Sequence, residues 1–309
     1  MAGHVVVGAG AVGRAVAAQL AARGEEVRLV SRSGTGPEVP GACRVALDVA
    51  DGEALVRETD GAVALYNCIN PPSYDVWSTW WPPAAAAFLR AAEETGAVLA
   101  VTGNLYPYGE VDAPMVEGMP DAATGAKGAL RARMWADVRE AHETGRLRGF
   151  EVRGSDYVGP GVGTAHVAQV APRALAGRPV RVFGRTDVPH SMTDVRDVAR
   201  TLVAVVDQPE AQGRVWHVPT NPARTQAETI ADLCRAVGRP PVRVRPWPRA
   251  LLTVGGTVVP LLRELRETVH QFERPYVLDS TAAETELGLA PTPWDEVCRA
   301  SAEAALAGQ

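Results

Sequence analysis

Apolar runs and amphipathic stretches alternate along the first half of the chain at βα spacing. The run Val5-Val6-Val7 has the continuous apolar character of a strand buried on both faces, and residues 14–23 follow with helical periodicity before a second apolar strand at 26–30. The rhythm continues with a strand at 44–47, a short helix at 53–58, a strand at 62–68, and a Trp-rich loop and helix at 71–94. A strand at 97–102, a long helix at 128–143 and a strand at 150–152 complete six βα steps. Strands separated by helices at this spacing predict a doubly wound parallel α/β sheet covered on both faces.

Beyond Gly154 the pattern becomes irregular and rich in Gly and Pro. Strands are expected at 180–183 and 214–218, a helix at 195–206, and further helices after the Pro-rich stretch 239–248. The predicted organisation is a Rossmann-type nucleotide domain over 1–160, with a returning segment around 190–218. Residues 161–189 and 219–309 would form a smaller C-terminal substrate-binding lobe.

The first strand meets its helix through Gly8-Ala9-Gly10-Ala11-Val12-Gly13. In a dinucleotide site the first glycine permits the sharp turn, the second lets backbone approach a pyrophosphate, and the third lets helix and strand pack closely. Gly8, Gly10, Ala11, Val12 and Gly13 are therefore expected to hold the pyrophosphate on the free N–H groups of the helix. The second strand ends in Ser31-Arg32-Ser33 rather than in an acidic residue. Arg32 suits a ribose 2′-phosphate, so NADP(H) is expected in preference to NAD(H).

Composition narrows the picture. The 309 residues are 46% hydrophobic with a formal net charge of −5, which fits compact α/β domains and disfavours nucleic acid as a partner. No apolar window is long enough for a membrane span, and the strand begins too early for a signal peptide, so a cytoplasmic protein without a membrane partner is expected. Cys43, Cys68, Cys234 and Cys298 lack paired spacing and the six histidines lack ligand spacing, so neither disulfide nor metal is expected. Lys127 is the sole lysine among 31 basic residues.

Several motifs occur in order: the glycine turn, Asp48-Val49, residues 104–109 (Asn-Leu-Tyr-Pro-Tyr-Gly), residues 153–161 (Arg-Gly-Ser-Asp-Tyr-Val-Gly-Pro-Gly), and residues 194–199 (Asp-Val-Arg-Asp-Val-Ala). Together they resemble the extended short-chain dehydrogenase/reductases, which include NAD(P)-dependent epimerases, dehydratases and reductases. The resemblance implies that Asp48 and Val49 line the adenine, that Cys68 and Asn70 run beside the cofactor, and that the loop carrying Tyr157 passes under the nicotinamide. It also implies a Tyr-x-x-x-Lys pair, in which lysine lowers the tyrosine pKa for proton transfer. This chain lacks the pair. Arg133 with Asp137 fits the spacing of the family's lysine and following acid, which puts Ala129 at the tyrosine position, while the catalytic serine or threonine falls at Asn104. The resemblance also implies a homodimer through the helix at 128–143, with Met134 and Trp135 at the contact.

Tyr106, at the C-terminal end of the fifth strand where open α/β sheets bind ligands, is the first candidate proton donor, with His190, His166 and Tyr157 behind it. Packing under the nicotinamide is the alternative role for Tyr106. Tyr74, Trp77, Trp80 and Trp81 are expected to wall a hydrophobic substrate pocket, with Trp135 and Trp216 as further candidates. The expected function is an NADP(H)-dependent oxidoreductase acting on a small organic substrate, using Tyr106, Asn104, Arg133 or His190 in place of the missing pair. The alternatives are an NAD(P)-dependent epimerase/dehydratase and a non-catalytic NADP(H)-sensing regulator of the NmrA-like type.

Overall fold

The computed structural model describes residues 3–71, 73–163, 165–248 and 267–307. Its central sheet has seven parallel strands in the order β11-β6-β5-β4-β1-β2-β3. These are β1 (Gly3–Val7), β2 (Glu26–Ser31), β3 (Ala42–Ala46), β4 (Ala62–Asn67), β5 (Val98–Asn104), β6 (Gly149–Gly154) and β11 (Val215–His217). Strand order reverses between β1 and β4, so the C-terminal ends of β1 and β4 open the crevice where such sheets take ligands.

Helices cover both faces. On one side α1 (Ala11–Ala22) packs against α6 (Val195–Val206), burying Val16, Leu20, Val198 and Leu202 over Val6, Tyr66 and Phe150. On the other, α2 (Gly52–Thr59), α3 (Trp77–Thr95) and α4 (Ala126–Glu143) bury Leu55, Trp81, Phe88 and Val138 against Val5, Leu65 and Leu99. Helix α3 runs through Pro82 and Pro83, both exposed, so the carbonyls that lose their N–H partners are those on the solvent side. Met134 and Trp135 point into this core rather than outward, which corrects their expected place at a dimer contact: the inward face of α4 carries Lys127, Arg131, Met134, Trp135 and Val138.

A third core joins α5 (His166–Leu175), α7 (Gln226–Ala236) and α10 (Trp294–Ala307) through Val167, Leu175, Ile230, Leu233 and Val297. Between these lie the short strands β7 (Asp156–Val158), β8 (Val180–Val182), β9 (Pro189–His190), β10 (Met192–Asp194), β12 (Arg224–Thr225) and β13 (Val244–Pro246), and the short helices α8 (His270–Glu273) and α9 (Thr281–Glu286). The Asp194-Val195-Arg196-Asp197 motif is structural. Asp194 caps α6 through the Arg196 N–H at 2.7 Å, and the buried Asp197 accepts from Thr292 N and Oγ1 at 2.8 and 2.6 Å, fastening the C-terminal segment.

His217 on β11 is wholly buried; its Nδ1 donates to the Asp279 carbonyl at 2.7 Å and its Nε2 accepts from the Tyr108 hydroxyl at 2.8 Å. Both ring nitrogens are satisfied in the neutral tautomer, and burial lowers the pKa from 6.5 to about 4. A depressed histidine leaves its contribution complete above pH 6.5 and removes it as pH falls toward 4, by roughly 3 kcal/mol at pH 4. Glu117, pushed up by burial beside this ring, works in the opposite direction. The expected result is a melting temperature that falls over this interval, with the fall largely absent in His217→Gln.

Candidate active site

One cavity of about 590 Å³ runs across the C-terminal ends of β2, β1, β4, β5 and β6, from Arg32 at one end to Asp156, Gln271 and Tyr276 at the other. Gly8 opens the first turn with φ +115°, a conformation that excludes other residues, and a Cβ there would lie 2.6 Å from the Cys68 carbonyl oxygen. A Cβ on Gly13 would overlap the Gly8 carbonyl, so Gly13 is the close-packing glycine behind the cavity wall. Gly10 differs: a Cβ there meets nothing within 4 Å, because the position faces the open cavity. Gly10 is also the N-cap of α1 and no side chain caps the helix, leaving its first N–H groups free for a phosphate.

At the β2 end, Ser31 and Arg32 line the cavity, and Arg32 is exposed with no ion pair among the described residues. Ser33 turns away to Thr35 Oγ1 at 2.7 Å and leaves the wall. Val49 lines the cavity with Leu47. Asp48 is exposed beside this wall and accepts the Ala50 N–H at 3.0 Å through Oδ1, while Asp51 is the side chain that caps α2. Cys68, Asn70 and Tyr157 all line the cavity, the Cys68 thiol being pushed up to about 12 by burial.

The far end is aromatic. Tyr74, Trp77, Trp80, Tyr106 and Tyr276 line it; Tyr106 stacks on Trp77, and its hydroxyl lies 2.8 Å from that of Tyr74. Burial raises the Tyr106 phenol well above 10, so it is neutral and a weak acid. Asn104 Oδ1 accepts the Tyr106 N–H at 3.1 Å and shapes the turn. Tyr157 donates its hydroxyl to the Gly103 carbonyl at 2.6 Å, so that proton is engaged in holding β7 to the end of β5. Trp81, Trp135 and Trp216 belong to the cores and not to this wall, Trp216 donating to the Ala211 carbonyl at 2.7 Å.

Two basic residues that sequence spacing set aside occupy the inner face of α4. Arg131 lines the cavity while only 5% exposed, its guanidinium 4.3 Å above Trp81 and 5.2 Å above Trp77, with Nε and Nη1 lacking hydrogen-bond partners. Lys127, one turn earlier, pairs with Glu267 at 3.2 Å, and the same carboxylate accepts the Lys127 N–H at the start of α4. Arg133, expected in the site, is instead 77% exposed and bonded to Asp137 at 2.8 Å on the outer face. The helical period explains the error: Lys127 and Arg131 share one face, and Arg133 lies two residues, about 200°, beyond Arg131.

His190 is also off the wall. It is fully buried behind Asp156, its Nδ1 donating to the Gln271 carbonyl at 3.0 Å and its Nε2 lying 3.4 Å from Asp156 Oδ2. Asp156, which sequence reasoning passed over inside a Gly-Pro loop, is the carboxylate on the cavity wall. Burial pushes its pKa up, but the nearby rings of His190 and His166 more than offset this, holding it below the usual carboxylate range. His166 accepts the Phe183 N–H at 3.0 Å and is likewise absent from the wall.

This geometry, a glycine turn at a strand-order reversal with free helix N–H groups, is matched by sequence comparison: residues 4–218 fit the NAD dependent epimerase/dehydratase family. The chain belongs to this family. Among solved structures, similar folds include UDP-glucose 4-epimerase from Thermotoga maritima, determined with UDP-glucose (18% identity, TM-score 0.80, 99% of each chain covered). The Thermus thermophilus UDP-glucose 4-epimerase complex with NAD is similar at 20% identity and TM-score 0.78, with 99% of this chain and 100% of that one covered. The dTDP-glucose 4,6-dehydratase from Bacillus anthracis, in complex with NAD, aligns at 14% identity and TM-score 0.79 over 100% and 98%. At these identities the likeness is one of fold. No curated protein sequence matches the chain. Among the described residues no helix is long and apolar enough to cross a membrane.

Proposed function

We propose that this family member is an NADP(H)-dependent oxidoreductase acting on a small organic substrate without a tyrosine-lysine pair. The observation that carries the reading is Arg32 at the β2 end of the cavity, while Asp156, the one carboxylate lining it among the described residues, lies at the opposite end. An exposed guanidinium with no acidic neighbour on the wall suits a 2′-phosphate and leaves a bare ribose diol without its usual acceptor. When bound, the dinucleotide supplies hydride chemistry. Gly8 to Gly13 would hold its pyrophosphate, and Val49, Cys68, Asn70 and Tyr157 would line its two ends. Arg131, on the inner face of α4, would take the place in the site expected of Arg133, and Tyr106 with Asn104 would contact the substrate. Residues 1–160 and 190–218 would carry the cofactor, and the C-terminal lobe the substrate.

The test is a titration with NADPH and NADH. Arg32→Ala is expected to weaken NADPH binding roughly 10- to 100-fold, as loss of a charge-assisted hydrogen bond does, while leaving NADH unchanged. Equal weakening of both, or of neither, would remove the assignment. The family match favours a second reading, a redox-neutral epimerase or dehydratase. Stoichiometric consumption of added NADPH with product distinguishes the first reading from the second, which returns its cofactor unchanged.

A further inference from the structure

We propose that the far end of the cavity is built for an anion, and that the substrate class is a small organic carboxylate held by Arg131. The inference rests on the oxidoreductase reading and names its substrate class.

Arg131 is a buried cation that the fold leaves unbonded. Its side chain lines the cavity at 5% exposure, and among the described residues its guanidinium makes neither hydrogen bond nor ion pair, with Nε and Nη1 shut off from solvent in that state. The rings of Trp77 and Trp81, 5.2 and 4.3 Å away, attract the charge but offer no acceptor. Burial lowers its pKa. Glu151 raises it again through space, but that carboxylate is committed to Arg153 at 2.8 Å. Lys127, one turn earlier on the same face, shows the contrast, since it has Glu267 at 3.2 Å. A guanidinium is rich in donors, and each one desolvated without an acceptor costs free energy that a bound anion would recover.

The rest of the wall agrees in sign and in size. Ser155 Oγ and the Gln271 amide nitrogen are further buried donors without partners on the cavity lining. Asp156, the carboxylate on this wall, faces His190 Nε2 at 3.4 Å and forms no pair with Arg131. The Asn104 Oδ1 acceptor is occupied by the Tyr106 N–H. Arg32, the other cation on the lining, lies at the opposite end, so a single guanidinium faces the ligand here. It matches one negative charge, whereas a phosphate dianion or a diphosphate asks for more cations than this end supplies. Tyr74, Trp77, Trp80, Tyr106 and Tyr276 make the remaining surface aromatic. The ligand that fits is a monoanion whose two coplanar oxygens meet the guanidinium fork, carried on an apolar skeleton.

Binding is tested first without cofactor, by tryptophan fluorescence, with cyclohexanecarboxylate, its neutral isostere cyclohexanecarboxamide and cyclohexylmethylammonium. Wild type is expected to bind the carboxylate at least ~10-fold more tightly than the carboxamide, as a charge-assisted hydrogen bond provides, and Arg131→Met to erase that preference. The variant is expected to fold, because it removes an unpaired buried charge. The carboxylate is also expected to bind as tightly at saturating NADP+, since the two occupy different parts of the cavity. Competition between them would make Arg131 a cofactor contact and overturn the proposal. So would carboxylate binding no tighter than that of the carboxamide or the ammonium, binding of none of the three, or a carboxylate preference that survives in Arg131→Met. If Arg131→Met does not fold, the wild-type carboxylate-to-carboxamide ratio decides. Failure of NADP+ and NADPH to bind overturns the oxidoreductase reading instead, and it leaves the carboxylate result standing.

Discussion

Gly10→Val is expected to abolish dinucleotide binding, raising Kd by roughly 100-fold or more, about 3 kcal/mol, while leaving the melting temperature nearly unchanged. A Cβ at Gly10 enters empty space within the cavity and its φ of −76° is open to any residue, so the apo fold has no reason to object. The branched side chain stands where a pyrophosphate must approach the N-terminus of α1. Gly13→Ala is the contrasting change: its Cβ overlaps the Gly8 carbonyl, so helix and strand must separate and stability falls together with binding. Calorimetry paired with a cofactor titration separates the two. Unimpaired binding in Gly10→Val would put the dinucleotide elsewhere.

Arg153→Met should cost about 3–5 kcal/mol of stability, the largest loss expected of a single substitution here. Arg153 is fully buried on β6, donating to Glu151 at 2.8 Å and to Asp121 at 2.6 and 3.1 Å, with its guanidinium 4.7 Å from the Tyr108 ring. Removing it leaves Glu151, 2% exposed, as an uncompensated buried carboxylate whose pKa burial already raises. The double change Arg153→Met with Glu151→Gln should recover much of the loss, because the stranded charge goes with it. Urea denaturation of the single and double variants measures both. A single-variant loss under 1 kcal/mol would mean that water reaches Glu151.

The sheet was legible because its signal is local. Valine runs and helix-period stretches recur at βα spacing, and helix 195–206 matches α6 residue for residue. The glycine turn was legible because each glycine answers a steric demand that few other contexts make. The far end of the site was not, since its residues come from segments far apart in sequence: Tyr74 before α3, Arg131 in α4, Asp156 on β7, Gln271 in α8 and Tyr276 just after it. One signal was available. Lys127 and Arg131 stand four apart, in helical register with Met134, Trp135 and Val138, so they share the inner face, whereas Arg133, which fits the family's lysine-to-acid spacing, falls on the outer one. Asp156 gave no such signal, because a carboxylate in a Gly-Pro loop reads as a solvated turn until the fold closes over it. His190 lies next to the site and not on its wall: it is fully buried, with Nε2 3.4 Å from the Asp156 carboxylate.

The most direct test is titration of the wild-type protein with NADPH, followed by energy transfer to the dihydronicotinamide from the tryptophans. Trp77 and Trp80 line the end of the cavity where the nicotinamide would lie. The account predicts saturable transfer, displaced by 2′,5′-ADP through the Arg32 end of the same cavity. Absence of transfer, with no competition by 2′,5′-ADP, would contradict it.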